Sequence, residues 1–332
     1  MTQHEPGPPI PVKAFHLPTH TGEFALATLT DAGGETFAGL VVGDRVKKVA
    51  PSTRALLHDW PVAFKELEAA ARSRSGDWLD LAGLTFRPPV EPGQVLQSGA
   101  NYHKHVVDII MSERSDYGGR SEAEVRAEGE AMMAARAREG RPYVFIGLSG
   151  AMCGAYDDVV LPRTGTQHDW ELELAVVIGT PARHVAPRDA LRHVAGYTIC
   201  NDITTRDLVY RNDLKKIGTD WLAAKNAPTF TQTGPFLVPA QYAGDPGDLR
   251  ITLRHNGLTR QDESTADMIF DVATLISYTS SLVPLAPGDL LLTGSPAGNG
   301  AHWGVYLRHG DVIDSEITGL GHQRNACVDA PA

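Results

Sequence analysis

The feature that most constrains this chain is the run His168-Asp169-Trp170-Glu171-Leu172-Glu173-Leu174-Ala175-Val176-Val177-Ile178-Gly179. Its apolar half, Leu174 to Ile178, is strongly strand-forming. Residues two apart in a strand share a face, so Asp169, Glu171 and Glu173 point one way, and Leu172 and Leu174 the other. Three carboxylates side by side repel unless a cation neutralises them. A hard divalent ion such as Mg2+, Mn2+ or Ca2+ does so through oxygen ligands. The same alternation occurs on solvated edge strands, where charge blocks aggregation. The apolar flank argues instead for a buried strand.

A second acidic position follows in Gly196-Tyr197-Thr198-Ile199-Cys200-Asn201-Asp202-Ile203, where a strand runs into Asn201-Asp202 and breaks. Alone, Asn-Asp is also an ordinary turn signal. In Asn101-Tyr102-His103-Lys104-His105-Val106-Val107-Asp108, one helical turn would bring His105 and Asp108 together at i,i+3. A carboxylate beside an imidazole orients it and raises its basicity, which makes a general base. The spacing also suits a surface histidine, and His103 with His105 is a weak metal signal without further partners. Lys225, between apolar and turn-forming residues, could stabilise an oxyanion or lie on the surface. The segment Thr293-Gly294-Ser295-Pro296-Ala297-Gly298 offers hydroxyls and backbone N–H groups to a carboxylate or carbonyl, or forms a tight turn.

These landmarks sit in a chain of 332 residues, long enough for a large domain and a small one. Alternating segments over 22–50 and a helical pattern over 53–74 predict a small α+β unit spanning 1–90, ending at the Pro-rich stretch 87–93. Residues 1–12 read as a loose tail. The second unit, 91–332, is strand-rich, with strands expected at 94–98, 143–147, 158–161, 171–178, 194–201, 235–238, 250–255, 289–293 and 312–317. Helices are expected at 121–139, opened by the capping-box pair Ser121 and Glu124, and at 264–282. The reading is a mixed-β domain, a rolled sheet or barrel. A formal charge of −10 with no Lys/Arg block excludes the usual nucleic-acid and membrane partners. Three scattered cysteines and no N-terminal apolar segment predict a reducing, cytoplasmic setting.

The order of NYxxHxxD, PxxF, DWExEL, GYxxxND, the lysine before GP, NG with QD, and PGDLLLTGSPAG resembles the fumarylacetoacetate hydrolase family over residues 94–328. The resemblance implies a mixed β-roll, a homodimer, and one Mg2+ or Mn2+ held by Glu171, Glu173 and Asp202. It selects the two glutamates over Asp169, leaving Asp169 behind the ligands or on the substrate. His105 takes the place of the catalytic histidine, Asp108 that of its usual glutamate partner, and Lys225 that of the active-site lysine. Tyr102, Asp169, Arg206 and Ser295 are the expected substrate contacts. Gly147 and Val209 depart from common substrate-binding residues, and 111–140 is an unusually long insertion. That insertion reads as a lid, with Tyr117, Met132 and Met133 covering substrate and Gly118-Gly119 as hinge, or as a surface helix.

The implied reaction is hydrolysis of a carbon–carbon bond in a 1,3-dicarbonyl acid such as an acylpyruvate. His105, oriented by Asp108, would activate water, and Lys225 would neutralise the developing oxyanion. The same family includes decarboxylases, tautomerases or isomerases, and sugar-acid lyases. A further alternative is a metal-binding dimer without catalysis.

Overall fold

The computed structural model describes residues 18–331 except 114–119, 212, 214, 215 and 217. The tail 1–12, Tyr117 and Gly118-Gly119 therefore lie outside the described residues.

The first unit is a five-stranded antiparallel sheet, ordered Leu79–Asp80, Arg45–Ala50, Thr36–Val42, Ala25–Thr30, Thr85–Arg87. The helix expected over 53–74 is two helices, Thr53–Leu57 and Trp60–Ser73. Pro61 lies in the first turn of the second, where a missing N–H costs nothing, and it could not have continued the first. Trp60, Ala63, Leu67 and Ala71 recur at helical spacing and are buried.

The second unit holds an eight-stranded mixed sheet with strand Leu172–Ile178 at its heart. That strand pairs antiparallel with Val194–Asp202 on one side and with Leu290–Leu292 on the other. A five-stranded sheet, ordered Leu258–Ser264, Arg250–His255, Val312–Ile317, Gly321–Asp329, Val159–Leu161, packs against it. The period-two pattern places each residue of the central strand. Leu172, Leu174 and Val176 join Ile251, Leu253 and Ile313 in the core between the sheets. Ala175 and Val177 join Leu26, Leu40 and Trp60 of the first unit. Glu171 and Glu173 have the parity of Ala175 and Val177, so they emerge where that apolar face ends. This is the mixed-sheet α+β roll that the sequence predicts.

Helix 122–139 forms as expected: Ser121 Oγ accepts from Glu124 N at 3.3 Å, and Ser121 N donates to Glu124 Oε2 at 2.8 Å. Its buried stripe Val125, Gly129 and Met133 packs along helix His103–Glu113. Met133 is thereby core, Met132 faces solvent, and neither reaches the cavity described below. The helix expected over 264–282 begins only at Val272, where Asp271 accepts from Thr274 N at 2.7 Å. Leu258–Ser264 before it is a strand, closed by the turn Asn256-Gly257. Among the described residues, no helix is long and apolar enough to cross a membrane.

Candidate functional site

Glu171, Glu173 and Asp202 each bring a carboxylate oxygen to within 4.8 Å of the others, and all three are buried. Glu173 and Asp202 come from neighbouring paired strands, and Glu171 immediately precedes the first. Glu173 Oε2 accepts from Gly294 N at 2.7 Å. Gly294 holds φ +91°, and a Cβ there would lie 2.9 Å from that of Asn101, so glycine is what lets this backbone turn toward the carboxylate.

Lys225 ends the short helix Trp221–Lys225 and enters the cluster. Its Nζ donates to Glu171 Oε2 at 2.6 Å, Asp202 Oδ2 at 2.5 Å and Thr204 Oγ1 at 2.7 Å. Arg206 bridges Asp169 at 2.7 Å and Glu171 at 2.6 Å. Burial would raise the Glu171 carboxyl, but Lys225 and Arg206 outweigh it and hold it down at about 2. Burial, then repulsion from Asp202 and Glu171, pushes Glu173 well above the usual carboxylate range. Burial also lifts Asp202, to about 6, against the pull of Lys225. The cluster is thus short of positive charge.

The residues present fit a divalent ion. Among the described residues, four buried carboxylates, those of Asp169, Glu171, Glu173 and Asp202, pair with two cations, Lys225 and Arg206. The excess of two negative charges matches such an ion, and the donors are hard oxygens. Gln97 Nε2 donates to Asp202 Oδ1 at 2.6 Å, while its buried Oε1 has no hydrogen-bond partner among the described residues.

Glu171, Glu173 and Lys225 open onto a cavity of about 440 Å3. His105, Asp108 and Ser295 also line it. Burial pushes the His105 imidazole down to about 4, so it stays neutral near pH 7 and is free to accept a proton. The expected hydrogen bond between His105 and Asp108 is absent among the described residues. Asp108 instead faces His302 Nδ1 at 3.3 Å and Arg126 at 3.8 Å.

Two expected substrate contacts are corrected. Asp169 is fully buried and taken up by Arg206 and by the N–H groups of Gly300 and Ala301, at 2.5 and 3.1 Å. Tyr102 is wholly inside the core and does not reach the cavity. Arg206 does line it, but with its guanidinium already clamped between two carboxylates, so it orders the site. Ser295 lies at the cavity wall, its Oγ accepting from Gln261 Nε2 at 2.9 Å. Gln97, Trp221, Asn299 and His302 are not marked as site residues in the sequence, and Phe145 enters it only as the last residue of PxxF. The GSPAGN stretch ends in Asn299 and leads to His302; nothing local marks Gln97 or Trp221.

Curled mixed sheets holding a buried carboxylate cluster beside an open cavity have the build of a divalent-metal enzyme. The model of the fumarylacetoacetate (FAA) hydrolase C-terminal family matches residues 94–328. The chain belongs to the fumarylacetoacetate hydrolase family. It is 36% identical over 266 residues to a 2,4-didehydro-3-deoxy-L-rhamnonate hydrolase of Sphingomonas sp. (strain SKA58), covering 78% of this chain and 83% of that one. It is 40% identical over 182 residues to a mitochondrial oxaloacetate tautomerase of Homo sapiens, but that match spans 54% of this chain and 57% of the tautomerase. The fold superposes on a maleylpyruvate hydrolase from Sphingobium sp. SYK-6, solved with manganese(II) and pyruvate, at TM-score 0.69 and 25% identity, covering 92% and 100% of the two chains. These relatives are hydrolases and tautomerases of one superfamily.

Proposed function

We propose that this protein is a metal-dependent hydrolase cleaving a carbon–carbon bond in a 1,3-dicarbonyl acid, an acylpyruvate or a close relative. The observation that carries the reading is the buried Glu171, Glu173 and Asp202 cluster opening onto the same cavity as His105 and Lys225. Those three carboxylates would hold Mg2+ or Mn2+, which would supply Lewis acidity to the substrate's oxygens. His105, neutral at working pH, takes a proton from water, and the hydroxide adds to the distal carbonyl. The carbon–carbon bond then breaks, its electron pair passing to the oxo-acid fragment as an enolate. Lys225 offsets that negative charge, and a proton delivered to carbon completes the oxo acid. The products are a carboxylic acid and a 2-oxo acid.

A second reading is enol–keto tautomerisation of an oxo acid. It is favoured by the partnering of Asp108 with His302, since a single unassisted imidazole suffices to shuttle a proton to and from carbon. Incubation with Mn2+ and a panel of acylpyruvates and oxaloacetate separates the two, with products identified by mass spectrometry. Cleavage with one water added, abolished by EDTA and by Glu171→Ala, is the expected result. Isomerisation without cleavage would replace hydrolysis by tautomerisation. Metal binding that survives Glu171→Ala undiminished would remove the site itself.

A further inference from the structure

The cavity is lined by two unlike sets of groups. Glu171, Glu173, His105 and Lys225 form the polar set. Beside Lys225, Phe145 and Trp221 stack at 4.7 Å between ring centroids and 16° between planes. Tyr143 joins them, tilted against both rings. Val209 and Ile109 are further apolar lining.

The polar atoms of this wall are already engaged. Trp221 Nε1 donates to Tyr143 Oη at 2.7 Å, and Tyr143 Oη lies 3.5 Å from Thr219 Oγ1. What the wall offers a ligand is therefore carbon and π surface. A hydroxylated chain placed there would give up water without finding partners, whereas a flat apolar group would gain area and ring contacts. The distance from the chemistry is also set. Lys225 Nζ lies 5.9 Å from the Phe145 centroid and 5.8 Å from that of Trp221. The wall thus begins one substituent away from the group that meets the reacting oxygen. The cavity, about 440 Å3, falls within the ~300–1,000 Å3 range of ligand sites, and a four-carbon oxo acid would leave much of it unfilled.

We propose that the substrate is an oxo acid whose far substituent is planar and apolar, an aromatic ring or a conjugated chain, and that Phe145 and Trp221 determine this specificity. The inference rests on the oxo-acid reading of the site given above. It excludes both a polyhydroxylated acid and oxaloacetate as the preferred ligand.

The test is binding, so that it stands apart from turnover. Affinities of the Mn2+-loaded protein for phenylpyruvate and for pyruvate are measured by calorimetry, in the wild type, in Trp221→Ala and in the milder Phe145→Leu, each checked for fold by circular dichroism. Phenylpyruvate should bind roughly ten- to a hundredfold tighter than pyruvate, the discrimination reached by apolar pockets. That ratio should fall below about threefold in Trp221→Ala and move the same way in Phe145→Leu, as expected when an apolar contact is lost. A wild-type ratio near one overturns the proposal. So does a ratio that both variants leave unchanged, which would make the stack a prop for Lys225. If Mn2+ binds but neither oxo acid does, the oxo-acid reading itself falls, a result distinct from loss of selectivity alone.

Discussion

At the residue scale, Lys225 shows how this site balances charge. Its ammonium stands between Glu171 and Asp202, 97% shielded from solvent by side-chain area, in a cluster whose three carboxylates also lie close enough to share one ion. Removing one partner of a buried ion pair typically costs ~3–5 kcal/mol, because the other charge is left alone. Lys225→Met should therefore destabilise the EDTA-treated protein by about that amount, read from thermal or urea melts. Mn2+ should recover much of the loss, since it restores positive charge among the same carboxylates. Turnover should stay down by ~10²–10³, the usual effect of losing one oxyanion-stabilising group. A melting deficit identical with and without Mn2+ would show that lysine and ion do not share one charge balance. The shared face of Glu171 and Glu173 was legible in the sequence because strand periodicity is local, whereas Asp202 as their partner, and the choice of these glutamates over Asp169, came only from the family resemblance. The roles of Phe145 and Trp221 were not legible, since 76 residues separate them and only the packing of a short helix against an edge strand makes them one wall.

At the element scale, the misreadings have a common cause. Leu258–Ser264 is polar apart from Leu258, so it carries no apolar alternation, and the helical pattern of Val272–Leu282 continues backward in sequence over the intervening turn. The Asn256-Gly257 dipeptide, a strong local turn signal, is the better guide to the hairpin it closes. That hairpin is pinned by Asp311. Its carboxylate accepts from His255 Nε2 at 2.9 Å, Asn256 Nδ2 at 2.8 Å and Arg308 N at 2.8 Å. Burial would raise the Asp311 pKa, but the hydrogen bonds from His255, Asn256 and Arg308 bring it below the ordinary value. A depressed carboxylate contributes stability above its unfolded pKa and loses it as pH falls through the folded one. Asp311→Asn should thus cost ~1.5–3 kcal/mol at neutral pH, the worth of charge-assisted hydrogen bonds. The gap between variant and wild type should narrow as pH drops below about 4. Urea midpoints of both proteins at pH 7 and pH 3.5 measure it, and a gap that widens with acid would contradict the assignment.

At the scale of the whole molecule, what local sequence could not convey is how the two units share a core. Leu26 and Trp60 pack with Ala175 and Leu290, and Leu26 bridges to Leu237, so the small unit roofs the central sheet. The exposed surface raises a matching question about partners. Strand Tyr143–Gly147 is the edge of the eight-stranded sheet, pairing only with Val95–Gly99 among the described residues. Edges are ordinarily guarded by charge or proline. This one carries Ile146 at 71% exposure, Leu148 follows it at 47%, and Leu222 on the neighbouring helix stands at 67%. Exposed apolar side chains beside an unpaired sheet edge are what an interface would cover. The homodimer implied by the family resemblance is expected to bury it, and Ile146→Glu would then place a charge in the buried contact. Light scattering on the wild type should give twice the chain mass, and the variant should run as a folded monomer with an unchanged circular dichroism spectrum. Because Tyr143 shares its strand with Ile146 and Trp221 its helix with Leu222, while both line the cavity, the monomer should also discriminate less between phenylpyruvate and pyruvate. A variant that remains dimeric with full discrimination would move the interface to another face.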